Sequence, residues 1–166
     1  MTFSQTEAGK KNLHLAPLDL SFQVEDVLKT YDFHLKNKGF TYTQDLKNGV
    51  KVLADKEAVT EIIINLLDNA IKYSPTRKEI IIATGHDDEM GWISIKDHGV
   101  GISRQEQKHI FDKFYRVSSG DLAKSPGTGI GLSLVKQLAE KQNGKISVKS
   151  DQGEGSTFTI YFPIVK

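Results

Sequence analysis

Between Asp55 and Tyr73 the apolar residues Val59, Ile62, Ile63, Leu66, Leu67, Ala70 and Ile71 recur at i, i+3, i+4 and i+7. That spacing predicts a helix with one solidly apolar face. Asp55 is placed to cap its start, and Ser74-Pro75 closes it, because the residue before a proline is pushed out of the helical region. A face of this kind has to be buried. With 166 residues the chain is long enough for one domain that buries roughly 70% of its unfolded surface without staples.

The opposite face of this helix carries Glu61, Asn65, Asp68, Asn69 and Lys72. Glu61, Asn65 and Asn69 are spaced i, i+4, i+8, so they stack along one side. A solvated face is the plain reading. Asparagine is nevertheless a poor helix former, since its amide competes for backbone hydrogen bonds, and solubility alone would favour Glu or Lys. An amide oxygen can ligate a hard cation such as Mg²⁺, which keeps several waters and is completed by phosphates. Lys72 would then meet a phosphate and Tyr73 the flat face of a base.

Ahead of this helix, Val24, Val27, Leu28, Tyr31 and Leu35 predict another, capped by Ser21 and stopped at Asn37-Lys38-Gly39. Phe40 to Thr43 and Val50 to Leu53 flank Lys47-Asn48-Gly49 and suggest a hairpin. Glu79 to Thr84 and Trp92 to Asp97 suggest a second hairpin. Ser103 to Pro126 reads as a long, lid-like connection with one short helix around Gln105 to Ile110. A third long helix is expected from Gly131 to Asn143-Gly144, followed by strands at Lys145 to Ser150 and Ser156 to Phe162.

Composition removes several functional classes. With 22 Lys+Arg against 21 Asp+Glu, the chain lacks the basic footprint of a nucleic-acid binder. It has no cysteine, so no disulfide framework or thiolate metal site is available. No apolar run approaches the ~20 residues that span a bilayer, and Met1-Thr2-Phe3-Ser4-Gln5-Thr6-Glu7 lacks the basic and apolar blocks of a signal peptide. A cytoplasmic domain without direct membrane contact is expected.

Two glycine clusters sit where a ligand could approach backbone. Asp97-His98-Gly99-Val100-Gly101 directly follows a predicted strand, where the carboxylate could accept from an exocyclic amino group and the glycines admit a base. Gly127-Thr128-Gly129-Ile130-Gly131 leads into a helix, whose free N–H groups suit phosphate. It fits neither the P-loop nor the dinucleotide fingerprint.

Taken in order, these elements resemble the ATP-binding catalytic domain of bacterial sensor histidine kinases, in the superfamily that includes DNA gyrase B and MutL. Asn65-Leu66-Leu67-Asp68-Asn69-Ala70-Ile71-Lys72-Tyr73-Ser74 resembles the N box and Asp97-His98-Gly99-Val100-Gly101 the G1 box. Ile110-Phe111-Asp112-Lys113-Phe114-Tyr115-Arg116 resembles the F box, Gly127 to Leu132 the G2 box, and Gly153-Glu154-Gly155-Ser156-Thr157-Phe158 the closing hairpin. The resemblance implies an α+β, two-layer sandwich with three helices on one face of a mixed, mostly antiparallel sheet, and a flexible lid over ATP.

Residue by residue, it implies Asn69 and Asn65 as Mg²⁺ ligands, and Asn65 with Lys72 as the groups closest to phosphoryl transfer. Tyr73, Asp97, Gly99, Gly101 and Ile102 would form the base pocket, with Thr157 adding a contact near it. Lys113 and Arg116 would reach phosphates from the lid, wrapped by Gly127, Thr128, Gly129, Ile130, Gly131 and Leu132. The superfamily's ATPases carry a water-activating glutamate four residues before the Mg²⁺ asparagine. Here that position is Asn65, which cannot act as a base. Glu61, one turn further back, is expected at the surface or behind the reacting groups.

The implied reaction is transfer of the γ-phosphoryl group of Mg-ATP to a histidine on a separate dimerisation domain, then to an aspartate of a response-regulator receiver domain. His14-Leu15-Ala16-Pro17-Leu18 lacks the acid that follows the family's phosphoacceptor, so His14 is not expected to accept phosphate. His34, His86, His98 and His109 are expected in surface or packing roles. Residues 1–17 read as the end of a dimerisation helix and a linker, and 18–166 as the catalytic domain, together a piece of a longer kinase. The alternatives are a nucleotide-regulated binding module, a superfamily ATPase or a serine-directed anti-sigma kinase.

Overall fold

The computed structural model describes residues 12–113, 115 and 131–166. In chain order the elements are β1 (Ala16–Asp19), α1 (Leu20–Asn37), β2 (Thr41–Asp45), β3 (Lys51–Ala54), α2 (Lys56–Lys72), β4 (Glu79–His86), β5 (Met90–Asp97), α3 (Arg104–Gln107), α4 (Gly131–Lys141), β6 (Lys145–Asp151) and β7 (Gly155–Pro163). Five strands form one sheet in the order β2-β4-β5-β7-β6, in which only β2 and β4 run parallel. The long helices α1, α2 and α4 pack on one face of it. This is the expected two-layer α+β sandwich.

Strand alternation decides what faces the helices. Ile80 and Ile82 of β4, Ile93 and Ile95 of β5, and Phe158, Ile160 and Phe162 of β7 are all buried. They meet Val24, Val27 and Leu28 of α1, Val59, Ile62, Ile63, Leu66 and Leu67 of α2, and Leu134, Val135 and Leu138 of α4 in one core. The same alternation carries Asp97 onto the core face at the end of β5, two residues beyond Ile95.

Three local expectations are corrected. The hairpin between Phe40–Thr43 and Val50–Leu53 does not form: β2 pairs parallel with β4, and β3 pairs antiparallel with β1. The cause is burial rather than turn chemistry. Val50 and Val52 are fully buried, and a Cβ on Gly91 would lie 2.6 Å from Val52 Cγ1 and 2.9 Å from Val50 Cγ1, so β3 lies over the glycine of β5. Second, a strand forms where only a connector was expected: β1 arises because Ala16 and Pro17 pair with Ala54 and Leu53. Third, Asp19 and not Ser21 caps α1, accepting from the Phe22 N–H at 3.0 Å. Ser21 is buried and donates to the Lys47 carbonyl at 2.5 Å.

Asp55 caps α2 as expected, its Oδ1 accepting from the Ala58 N–H at 2.8 Å. Its other oxygen accepts from the His14 N–H at 2.8 Å, and its own N–H donates to Gln142 Oε1 at 2.7 Å. One buried residue thus joins the start of α2, the end of α4 and the segment that enters β1. No helix among the described residues is long and apolar enough to cross a membrane.

Candidate functional site

The polar face of α2 is where expected. Asn65, Asn69, Lys72 and Tyr73 are all partly exposed on it. Asn65 Nδ2 donates to the Glu61 carbonyl at 2.8 Å, which engages the nitrogen and leaves Oδ1 as the acceptor atom of the amide. That oxygen lies 3.5 Å from where a Cβ on Gly131 would stand. Helix α4 therefore begins beside Asn65 and ends beside Asp55, so it runs antiparallel to α2 and presents its N-terminus to the asparagine face.

At the other end of α2, the Asp97 turn is stapled to the helix. The Val100 N–H donates to the Tyr73 carbonyl at 3.0 Å, satisfying one of the last carbonyls of the helix. A Cβ on Gly99 would stand 2.0 Å from that same carbonyl oxygen, so only glycine permits the approach. Gly101, at φ +72°, would meet the Asp151 carbonyl oxygen at 2.0 Å. The Gly153 N–H donates to the Val100 carbonyl at 2.6 Å. The glycine turn is clamped between the α2 terminus and the β6–β7 hairpin.

Asp97 is 2% exposed. Both of its hydrogen bonds land on Oδ1, from the N–H groups of Gly99 at 2.9 Å and Ser156 at 3.1 Å, and neither engages Oδ2. Burial pushes its carboxyl above the ordinary value of 3.8, opposed by those two N–H groups and by nearby His98. His98 is half-buried and its Nδ1 sits 3.3 Å from the Glu79 carbonyl, a packing position as expected.

Beyond the turn, Ile102 is buried and donates its N–H to Ser150 Oγ at 2.7 Å. Gln107 Nε2 donates to the Ile102 carbonyl at 2.7 Å and the Ser150 carbonyl at 3.0 Å. Phe111 meets Phe158 edge-on at 6.3 Å between centroids, and Tyr115 donates to Glu106 Oε1 at 2.5 Å, a bond that pushes its phenol up to about 12. The near end of the connection is thereby fixed to the sheet. Lys113 is exposed there, and Leu132 is partly buried in the first turn of α4. Phe114, Arg116, Gly127, Thr128, Gly129 and Ile130 lie outside the described residues.

Thr157 is not brought to Asp97. It pairs with Lys96 and Lys149 and shares a strand face with Thr159 and Tyr161, opposite the buried face of Ser156 and Phe158. Ser156 takes the place expected of it. Three contributors escaped the sequence reading: Ser150, Ser156 and Gln107. The signal for the first two was a pair of serines interrupting apolar alternation on either side of the Asp151 to Gly155 turn.

A profile of the histidine kinase-, DNA gyrase B- and HSP90-like ATPase family matches residues 54–166. The chain belongs to this family. It is 31% identical over 169 residues to the sensor protein RprX of Bacteroides fragilis, covering all of this chain and 33% of that protein. It is 34% identical over 166 residues to the circadian input-output histidine kinase CikA of Synechococcus elongatus, covering 98% of this chain and 22% of that one. The chain thus spans a third or less of these relatives. Among solved structures it resembles the mycobacterial sensor histidine kinase MprB, with a TM-score of 0.77 and 25% identity over 91% of this chain and 98% of that one. Full-length ShkA in complex with AMPPNP shares the fold, with a TM-score of 0.82 and 23% identity over 99% of this chain and 34% of that chain.

Proposed function

We propose that the chain is the ATP-binding catalytic domain of a two-component sensor histidine kinase. In this reading it transfers the γ-phosphoryl group of Mg-ATP to a histidine on a separate dimerisation domain, from which the group passes to a response-regulator aspartate. One observation carries the reading: the Asp97 turn is held by Val100 on the terminal carbonyl of the helix that bears Asn65 and Asn69. In this reading a base-reading carboxylate and a pair of amide ligands share one site.

The residues present fit Mg-ATP. Asp97 keeps Oδ2 unclaimed by the N–H groups that hold its partner oxygen, and Glu61 Oε2 and Ser74 Oγ are buried polar atoms without partners beside the same helix. When bound, Mg-ATP supplies the phosphoryl group and a cation that offsets its charge. Asp97 Oδ2 accepts from the exocyclic amine of the base, and Tyr73 offers its ring, over which Lys72 Nζ lies 5.4 Å from the centroid. Asn69 and Asn65 present amide oxygens to the cation. Lys72 and Lys113, with Arg116, supply positive charge toward the phosphates. Gly127 to Leu132 bring main-chain N–H groups and the positive end of α4. Asn65 cannot remove a proton from water, so the site favours a delivered nucleophile over hydrolysis.

The test is phosphotransfer with radiolabelled ATP. The chain alone is expected to bind nucleotide without acquiring acid-labile, base-stable phosphate, and to label a histidine-bearing dimerisation domain supplied in trans. Rapid phosphate release by the chain alone would instead make it an ATPase.

A further inference from the structure

Glu61 shares the face of α2 with Asn65 and Asn69, one turn ahead of Asn65 and about 6 Å from it along the axis. Its carbonyl oxygen holds the Asn65 amide nitrogen at 2.8 Å, and so aims the Asn65 oxygen at the start of α4. Its side chain is not the solvated group of an ordinary helix surface. The residue is half-buried, and Oε2 is buried with no hydrogen-bond donor. A buried acceptor without a donor costs about 1–3 kcal/mol, more when charged, and such an atom in a folded chain calls for a partner that arrives with a ligand.

The acidic neighbour on this helix differs. Asp68 is exposed and already accepts from the Tyr31 hydroxyl. Among the described residues no three His, Asp or Glu side chains converge to hold a metal. A divalent cation held by the neutral amides of Asn65 and Asn69 would therefore keep much of its water, and its polarised O–H groups need acceptors. Among the described residues, Glu61 is the carboxylate on that face with a buried oxygen that no donor reaches.

We propose that Glu61 is a positioning residue for the divalent cation, its carboxylate accepting hydrogen bonds from cation-bound water one turn from Asn65. The proposal rests on the Mg-ATP reading of the site. A negative charge here attracts the cation and repels bare polyphosphate. Its removal therefore has opposite effects on the two forms of the nucleotide, whereas a purely structural loss weakens both together.

The experiment is a calorimetric titration of ATP in excess EDTA and in excess Mg²⁺, on the wild type, Glu61→Gln and Glu61→Asp, with thermal unfolding to establish that each is folded. The quantity read is the ratio of the two dissociation constants. Glu61→Gln is expected to lower this magnesium gain about tenfold, a usual size for losing an outer-shell ligand partner, with metal-free binding unchanged or tighter. Glu61→Asp, which keeps the charge, is expected to stay within about twofold of the wild-type gain, since the Coulomb term persists. Equal gains in all three proteins overturn the proposal, as does an equal loss in the two variants. A parallel weakening with and without metal in Glu61→Gln also overturns it. Should Glu61→Gln not fold, Glu61→Ala takes its place, with the same loss of magnesium gain expected and an undiminished gain overturning the proposal. A wild type without any magnesium gain overturns the underlying reading of the site, and the proposal with it.

Discussion

The main-chain N–H of Ser156 donates to Oδ1 of Asp97 at 3.1 Å, so the carboxylate at the end of β5 is oriented by β7, the strand paired beside it. With Gly99 on the same oxygen, one half of the carboxylate is structural, and in the proposed reading the other half meets the base. Asp97→Asn keeps an oxygen for these two donors but turns the ligand-facing atom into a donor. ATP affinity is expected to fall about tenfold or more, the value of a hydrogen bond to a charged group, with little change in thermal stability. Titration calorimetry checks the first and thermal unfolding the second.

The same carboxyl is expected to make nucleotide binding depend on pH. Burial raises its titration point above 3.8, and the ligand-reading form is the ionised one. Affinity for ATP is therefore expected to drop on acidification at a pH above that ordinary value, and Asp97→Asn is expected to lose this component of the profile. For folding the sign is reversed. A raised carboxyl favours the folded state most below the unfolded value, and that contribution is lost as pH rises through the folded one. The stability of Asp97→Asn relative to wild type should thus improve between acid and neutral pH, as measured by urea unfolding at each pH.

Gly101 combines φ +72° with a Cβ position 2.0 Å from the Asp151 carbonyl oxygen. Gly101→Ala is expected to cost about 2 kcal/mol or more, from left-handed strain plus displacement of the β6–β7 turn. Gly153, at φ +87° with nothing within 4 Å of its Cβ position, bears the strain without the collision, so Gly153→Ala should cost less. Denaturant midpoints of the two variants give the comparison.

Much of this arrangement was legible because local and global preferences agree. The α2 stripe, its Asp55 cap and the β4–β5 hairpin formed where the pattern put them. Asp97 and its glycines were recognisable because a close approach of backbone to backbone leaves a residue-type signature. What escaped depends on partners far away in the chain. Lys47-Asn48-Gly49 is a sound turn signal, yet Val50 and Val52 gain more by lying over Gly91 in β5 than by pairing with β2. Thr157 and Ser156 differ by one position, and in a strand one position decides the face. Only the register against β5, Lys96 opposite Thr157, shows that Ser156 is the residue beside Asp97.

Asp55 joins three parts of the fold, through Ala58, His14 and Gln142. Asp55→Ala removes the helix cap and leaves the His14 N–H unpaired, and is expected to destabilise the domain by about 2 kcal/mol. Asp55→Asn keeps the capping oxygen and should recover roughly half of that. Urea unfolding of both variants measures the difference.

In the proposed reading, the α2 amides and the Asp97 turn form one magnesium-dependent ATP site. Its most direct test is calorimetric titration of the chain with ATP, with and without Mg²⁺, on the wild type and on Asn69→Ala. Saturable binding that magnesium strengthens is expected, with most of that strengthening lost in Asn69→Ala. Binding of equal strength with and without magnesium in both proteins, or no binding at all, would contradict it.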